Sequence, residues 1–344
     1  MKLSYTSYRV QCTHPFGISR STHDHYDVVY VYLEQDGILG RGEAAPSGRY
    51  NEYASDIIGV LDNGIVLPES MDDPIAFSEK VLPQCKGIKA LEVAFSMAIL
   101  DWWCQKEGMP LYQYLGADPS KAPKTSFTIS IGDMDLIPEK VKEGALFHIL
   151  KVKIGMGMEK DKAIMNAIRQ ETDQLIRVDA NEGWDLDTGI EMCEWLADRN
   201  VEFVEQPFKS INLKDTAELR KKSPLPLIAD ENSLNSGDIP GIEGVFDGIN
   251  IKLMKCGSLI EGLKMVKMAR ERDMQIMLGC MIESSVGITA AAHLSPLVDY
   301  ADLDGNLLIN NDPYRGVLVE DGKLVLPRGN GLGVSLNSIE EKLI

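Results

Sequence analysis

Residues 150–155 read LKVKIG, two lysines one residue apart inside an otherwise apolar run. In a β-strand successive side chains alternate between faces, so Lys151 and Lys153 point the same way. Two ammonium groups on one strand face repel each other unless acids surround them, and locating those acids decides the fold. Similar short β-rich runs recur along the chain: SFTISI (126–131), HILKVKI (148–154), LIRVDA (175–180), VEFVEQ (201–206), PLIAD (226–230), GINIKL (248–253), QIMLG (275–279) and DYADLD (299–304). Their centres lie about 22 to 27 residues apart. Helical patterns such as EKDKAIMNAIRQET (159–172), TGIEMCEWLADRN (188–200) and LIEGLKMVKMARERD (259–273) fill the intervals. Eight strands alternating with helices at that period describe a (β/α)8-type barrel. A doubly wound sheet fits less well, because no GxGxxG follows the first strand and the alternation runs too long.

Upstream lies a different texture. DVVYVYLE (27–34) reads as a strand, EQDGILG (34–40) as a Gly-containing turn into a second one, and GIKALEVAFSMAILDWWCQ (87–105) as a buried helix. No Ser/Gly-rich linker follows, so this α+β unit is expected to pack closely on the barrel. The tail from about residue 306, rich in Gly, Pro and short β runs, is expected to return to the N-terminal unit.

A chain of 344 residues suits one barrel of about 250 residues with an addition. Hydrophobic content of 44% and charged content of 25% are ordinary for a soluble globular protein. No apolar run approaches the roughly 20 residues that cross a membrane, and MKLSYTSYRV at the start lacks the layout of a signal peptide. The six cysteines show no CxxC pairing, which favours reduced thiols in a cytoplasmic protein and disfavours a structural zinc site. A formal charge of −17 leaves no basic face for nucleic acid.

In such barrels chemistry collects at the C-terminal ends of the strands. Five consecutive strands here end in a charged residue: Lys153, Asp179, Glu205, Asp230 and Lys252, at intervals of 26, 26, 25 and 22 residues. A lone Asp at a strand end is more often a helix N-cap than a ligand, and a lone Lys there usually reaches for water. Five in succession, in the order Lys, acid, acid, acid, Lys, do not arise readily as independent caps. Three carboxylates on adjacent strands make an all-oxygen site suited to Mg²⁺ or Mn²⁺, and the absence of His at these strand ends argues against binuclear zinc. His148 and His293 fall elsewhere, the latter as packing. Two opposed lysines beside one divalent ion suit removal of a proton from a carbon next to a carboxylate. A lysine acting as base near neutral pH needs a pKa lowered to about 7–8, and a neighbouring ammonium helps. Lys151 then reads as the electrostatic tuner of Lys153. Asp302 and Asp304, at the end of the eighth strand, form a further acid pair that would bind a cation.

The set KVKIG, RVDANEGW, VEQP, IADEN, NIKLMKCG and DLDG resembles the enolase superfamily, in its muconate-lactonizing-enzyme subgroup, over the whole chain. The resemblance implies a (β/α)7β modified TIM barrel (116–305), an α+β N-terminal capping domain (1–115) and a C-terminal segment (306–344) completing the cap. It implies Asp179, Glu205 and Asp230 as ligands of one Mg²⁺ per subunit, with Mn²⁺ an alternative. Lys153 and Lys252 become the acid/base pair, and Lys151 lies beside the substrate carboxylate. Within the subgroup the dipeptide epimerases, L-Ala-D/L-Glu above all, look closest, and other dipeptides, o-succinylbenzoate synthesis or muconate cycloisomerisation are the alternatives. Asp302-Leu-Asp304 resembles the Asp-x-Asp that holds a dipeptide's ammonium. PFGISR (15–20) and GEAAPSGRYNE (42–52) look like two cap loops, placing Arg20 for a side-chain carboxylate and Arg49 and Tyr50 as lid residues. MIESS (281–285) resembles the family's segment after the seventh strand, with Met281 and Ile282 against substrate and Glu283 orienting Lys252. Asn181 is expected in support. Cys256-Gly257-Ser258 departs from the usual KCGG or KAGG. A homo-oligomer acting on a small dipeptide, in murein peptide metabolism, is the implied setting. A Schiff-base lyase and a non-catalytic binding protein are the readings from other classes.

Overall fold

The structure, a computed structural model, describes residues 1–337. The last part of the expected C-terminal segment, residues 338–344, lies outside the described residues. Three antiparallel strands open the chain: β1 (Lys2–Ile18), β2 (Ser21–Gln35) and β3 (Ile38–Ala44). Asp36 and Gly37 take φ of 54° and 75°, the left-handed pair that a two-residue hairpin matching strand twist requires. PFGISR, expected as a loop, instead forms the end of β1, and Ser19 and Arg20 are the tip of the β1–β2 hairpin. Helices α1 (Ala54–Asp62), α2 (Pro74–Val81), α3 (Lys89–Lys106) and the short α4 (Leu111–Tyr114) follow. Helix α3 is buried along nearly its whole length and lies against β3 so closely that only glycine fits. A Cβ at Gly40 would stand 2.1 Å from the Ala98 carbonyl oxygen, and one at Gly42 would stand 1.8 Å from that of Ala94.

Eight parallel strands then form one sheet in sequential order: β4 (Phe127–Ile129), β5 (Ile149–Lys153), β6 (Leu175–Asp179), β7 (Val201–Glu205), β8 (Leu227–Ala229), β9 (Gly248–Lys252), β10 (Gln275–Gly279) and β11 (Tyr300–Asp302). Between them run α5 (Ile137–Glu143), α6 (Met158–Glu171), α7 (Leu186–Ala197), α8 (Leu213–Lys222), α9 (Ile239–Ile242), α10 (Leu253–Cys256) with α11 (Leu259–Arg270), and α12 (Ser285–Ala292). A parallel bridge between Thr125 and Ala301, with Ser126 N–H donating to the Ala301 carbonyl at 3.2 Å, brings the first strand back to the eighth. Among the described residues no α-helix follows β11, only a 3-10 turn at Gly305–Leu307, so the barrel is (β/α)7β. Each expected barrel strand is present; β10 keeps its expected bounds and the others are trimmed by one or two residues at one or both ends.

Register levels the strand ends. Lys153 pairs laterally with Asp179 and Asp179 with Glu205, while Lys252 pairs with Gly279 and Gly279 with Asp302. These strand-end residues therefore share one layer at the barrel's C-terminal mouth.

The tail wraps across both units. Leu308 O accepts from Thr13 N, Asn310 N donates to Gln11 O, and Gly331 O accepts from Leu111 N. Leu332 N donates to the buried Asp101 of α3 at 2.7 Å. Two small ribbons complete it, β12 (Tyr314–Arg315) with β15 (Ser335–Leu336) and β13 (Leu318–Glu320) with β14 (Lys323–Val325). No helix among the described residues is long and apolar enough to cross a membrane.

Candidate active site

Asp179, Glu205 and Asp230 end three successive strands and are fully buried, with one oxygen of each lying within 4.8 Å of the others. The turns that leave these strands are strained. Asn181, Glu182 and Gln206 sit at φ of 43°, 65° and 38°, backbone that side-chain-bearing residues adopt only when the surroundings compel it. At the end of LKVKIG, Gly155 takes φ 103°, and its place cannot hold a Cβ, which would meet the Ala180 carbonyl oxygen at 2.2 Å. The glycine thus lets the β5 and β6 exits pass in backbone contact.

The lysines answer the acids one by one. Lys153 Nζ lies 2.7 Å from Asp179 Oδ2. Lys252 Nζ lies 2.8 Å from Asp230 Oδ2, whose other oxygen is 2.6 Å from Lys255 Nζ. Lys151 reaches furthest inward, 2.7 Å from Glu205, 2.7 Å from Asp302 and 3.3 Å from the Asp179 oxygen that Lys153 also touches. Burial works to discharge Lys151, but Asp302, Glu205 and Asp179 outweigh it and hold its pKa well above the ordinary lysine value. Burial would raise the Asp179 carboxyl, yet Lys153 and Lys151 bring it down to about 2. Asp230 is likewise pulled far below its usual range, against burial, by Lys252 and Lys255. Glu205 is raised, by burial and then by repulsion from Asp179. All four lysine ammonium groups are thus matched by buried carboxylates.

A divalent cation fits this donor set. Glu205 Oε1 accepts from Asn250 Nδ2 at 2.6 Å, whereas the buried Oε2, though 2.7 Å from Lys151, has no aligned hydrogen bond. Three hard oxygen donors, one of them unsatisfied, suit an oxygen-seeking ion.

Above the layer lies a cavity of ≈ 740 Å³, walled on the barrel side by Lys151, Lys153, Asp230 and Lys252 and on the cap side by Phe16, Ile18, Arg20, Arg49, Tyr50 and Tyr53. Met281, Ile282, Asn181, Asp302 and Asp304 also line it. The region 2–116 matches the profile of the mandelate racemase / muconate lactonizing enzyme N-terminal domain, and 135–341 that of the enolase C-terminal domain-like family. An L-Ala-D/L-Glu epimerase from Bacteroides thetaiotaomicron is 38% identical over 97% of this chain and 88% of its own length. An L-Ala-D/L-amino acid epimerase from Pedosphaera parvula is 38% identical over 94% of this chain and 95% of its own. The chain belongs to the enolase superfamily. The superfamily fold is also that of a Cytophaga hutchinsonii dipeptide epimerase, solved with Mg and D-Ala-L-Val, which aligns at TM-score 0.90 and 28% identity over 99% of this chain and 96% of that one.

Against this superfamily frame, several expected residues come together and some take unexpected partners. Asp302 is not set apart from the three strand-end carboxylates, since Lys151 joins it to Glu205 and Asp179; its second oxygen accepts from Ser126 Oγ at 2.6 Å. Asp304 accepts from Thr128 N at 2.6 Å, and burial with the Asp302 charge beside it pushes its carboxyl up to about 7. Glu283 holds Met281 N at 2.7 Å, while Lys252 is bound by Asp230, so Glu283 shapes the Met281 turn and does not fix that lysine by a hydrogen bond. Asn181 N donates to Asp179 Oδ1 at 2.9 Å. Gly257 at φ 84° closes α10, and a Cβ there would strike Glu92 and Lys89 of α3, so the loop geometry keeps its glycine despite Ser258. Arg20 lies in the cap wall but is already engaged: Nη2 is 2.9 Å from Glu231 and Nη1 3.1 Å from Glu182. Glu182, Gln206, Glu231, Asn250 and Lys255 fall inside the motifs RVDANEGW, VEQP, IADEN and NIKLMKCG but carry no individual role in the sequence reading. A weak signal existed, because each lies within three residues of a strand-end acid or lysine.

Proposed function

We propose that this protein is a dipeptide epimerase, an isomerase that inverts the α-carbon of the C-terminal residue of a dipeptide by 1,1-proton transfer. The observation that carries it is the placement of Lys153 on β5 and Lys252 on β9. Four strands apart in a closed ring of eight, they reach the centre from opposite sides, with the three carboxylates on the strands between them. Asp179, Glu205 and Asp230 would hold Mg²⁺ (or Mn²⁺ in its stead), which would supply positive charge beside the substrate carboxylate. The lysine on one face, in its neutral amine form, takes the α-proton and becomes an ammonium, and the lysine on the other face, starting as an ammonium, gives a proton to the opposite face and is left neutral. Lys151, kept charged by its acids, adds a fixed cation where negative charge develops. Asp302 and Asp304 hold the free ammonium at the β11 side, and this pair distinguishes the reading from cycloisomerisation or dehydration, which need no amine site.

L-Ala-D-Glu and L-Ala-L-Glu are the proposed pair, consistent with the Bacteroides relative's name and with Arg20 in the cap wall; a cytoplasmic role in murein peptide metabolism, as a homo-oligomer, follows from that pairing. The test is incubation of the Mg²⁺-loaded protein with L-Ala-L-Glu in D2O. Deuterium at the glutamate α-carbon and accumulation of the D-epimer are expected. Absence of both across a panel of dipeptides sinks the assignment, and loss of turnover without loss of fold on chelation checks the metal.

A further inference from the structure

Glu182 concentrates more contacts than its distance from the reacting layer would suggest. It sits in the turn that leaves β6, three residues beyond the strand's end, its side chain 6% exposed. Its Oε1 accepts from Ser210 N at 2.8 Å, in the loop after β7, and its backbone N donates to Gln206 O at 2.8 Å. Both of its oxygens also receive Arg49 Nη2, at 3.0 and 2.9 Å, and Oε2 receives Arg20 Nη1 at 3.1 Å. One buried carboxylate therefore holds an arginine from each of two cap segments, the β1–β2 hairpin tip and the turn after β3.

The position of those arginines is what matters for substrate. In the dipeptide reading, on which this inference rests, three substituents of the reacting carbon have assigned directions. The carboxylate faces β6 to β8, the proton lies on the axis between β5 and β9, and the amide leads toward the ammonium site on β11. The side chain is left with the cap wall, where Arg20, Arg49 and Tyr50 line the cavity. In that wall two guanidinium groups face two carboxylates, Glu182 and Glu231, the latter 3% exposed. A site with two uncompensated arginines would demand an acidic side chain; one with paired charges does not.

We infer that Glu182 is a positioning residue that sets substrate range. By holding Arg20 and Arg49 it brings the side-chain pocket close to electrical neutrality, so that the pocket takes uncharged side chains beside glutamate.

L-Ala-L-Glu and L-Ala-L-Gln differ by a charge at nearly constant shape, so their ratio of kcat/KM reads that neutrality alone. Wild type is expected to process both within about tenfold of each other, a span of roughly 1.4 kcal/mol. Glu182→Gln leaves the arginines under-compensated and should shift the ratio toward L-Ala-L-Glu about tenfold, while Glu182→Asp, which keeps the charge, should stay near wild type. Arg49→Gln removes one cation and should move the ratio the other way, which also keeps the test decisive if Glu182→Gln does not fold. Calorimetric binding of both dipeptides to the Mg²⁺-loaded proteins reads the same ratio without turnover. An unchanged ratio in an active Glu182→Gln enzyme, or an equal loss with both dipeptides, overturns the inference and leaves Glu182 a brace of the rim. No binding or inversion of any dipeptide by wild type overturns the dipeptide reading itself, and this inference with it.

Discussion

Asp179, Glu205, Asp230 and Asp302 are buried at the barrel mouth, and each is matched by at least one lysine, so removing either partner strands a charge. Substituting Lys153 or Lys252 by Ala should abolish inversion, a fall of at least about 10³-fold. Each variant should still exchange the α-proton of one epimer in D2O, and the two variants should exchange opposite epimers. Exchange of the same epimer by both would refute a base on each face. The five strand-end charges were legible because they recur once per βα repeat on residues that a strand must point inward. Lys151 was legible as a neighbour of Lys153, but its bond to Asp302 joins β5 to β11 across the barrel mouth, a contact no local spacing contains. The clamping of Arg20 by Glu182 and Glu231 was hidden for the same reason: 162 or more positions separate the partners.

Among the elements, α3 and α12 show how packing and titration constrain the frame. Gly42→Ala drives a methyl into the Ala94 carbonyl of α3 and should destabilise by about 2 kcal/mol, read as a lower urea midpoint. Sequence identified α3 as a buried helix; that β3 needs glycine to meet it depends on an interaxial approach that no periodicity encodes. His293, at the end of α12, accepts from Tyr112 N at 3.2 Å, so its Nε2–H donates to Leu332 O at 3.0 Å. Burial lowers its pKa from 6.5 to about 4. Protons then bind the unfolded chain preferentially, so this contribution is intact above pH 6.5 and is lost as pH falls to about 4, on the order of 3 kcal/mol. Urea unfolding of wild type and His293→Gln at pH 7 and pH 4.5 should show the gap closing in acid; a constant gap would contradict it.

At the scale of the molecule, a cap carboxylate fastens the cap to the barrel. Glu43 of β3 accepts from Ser284 N, Ser284 Oγ and Gly287 N at the start of α12, at 2.8, 2.6 and 2.8 Å. Burial raises its carboxyl from 4.5 to about 7 despite these donors. A raised carboxyl stabilises the fold while protonated. The contribution is complete below pH 4.5 and is lost as pH rises to about 7, on the order of 3 kcal/mol. Glu43→Gln should flatten that slope, and melting temperatures of both proteins at pH 5 and pH 8 will show whether the difference changes with pH as stated.

The sequence by itself determined the strand and helix alternation, the barrel class, the residues that end its strands and the chemistry of their side chains. These follow from periodicity and residue type, which are local. Only the tertiary structure decided the level register that gathers those ends into one layer, the bridge that closes the ring, and the pairing of cap arginines with barrel acids. Such contacts depend on how segments far apart in the chain approach, and at Glu182 two cap segments and two barrel loops meet on one carboxylate. LKVKIG announced that acids must lie nearby; the fold settled which of them each lysine meets.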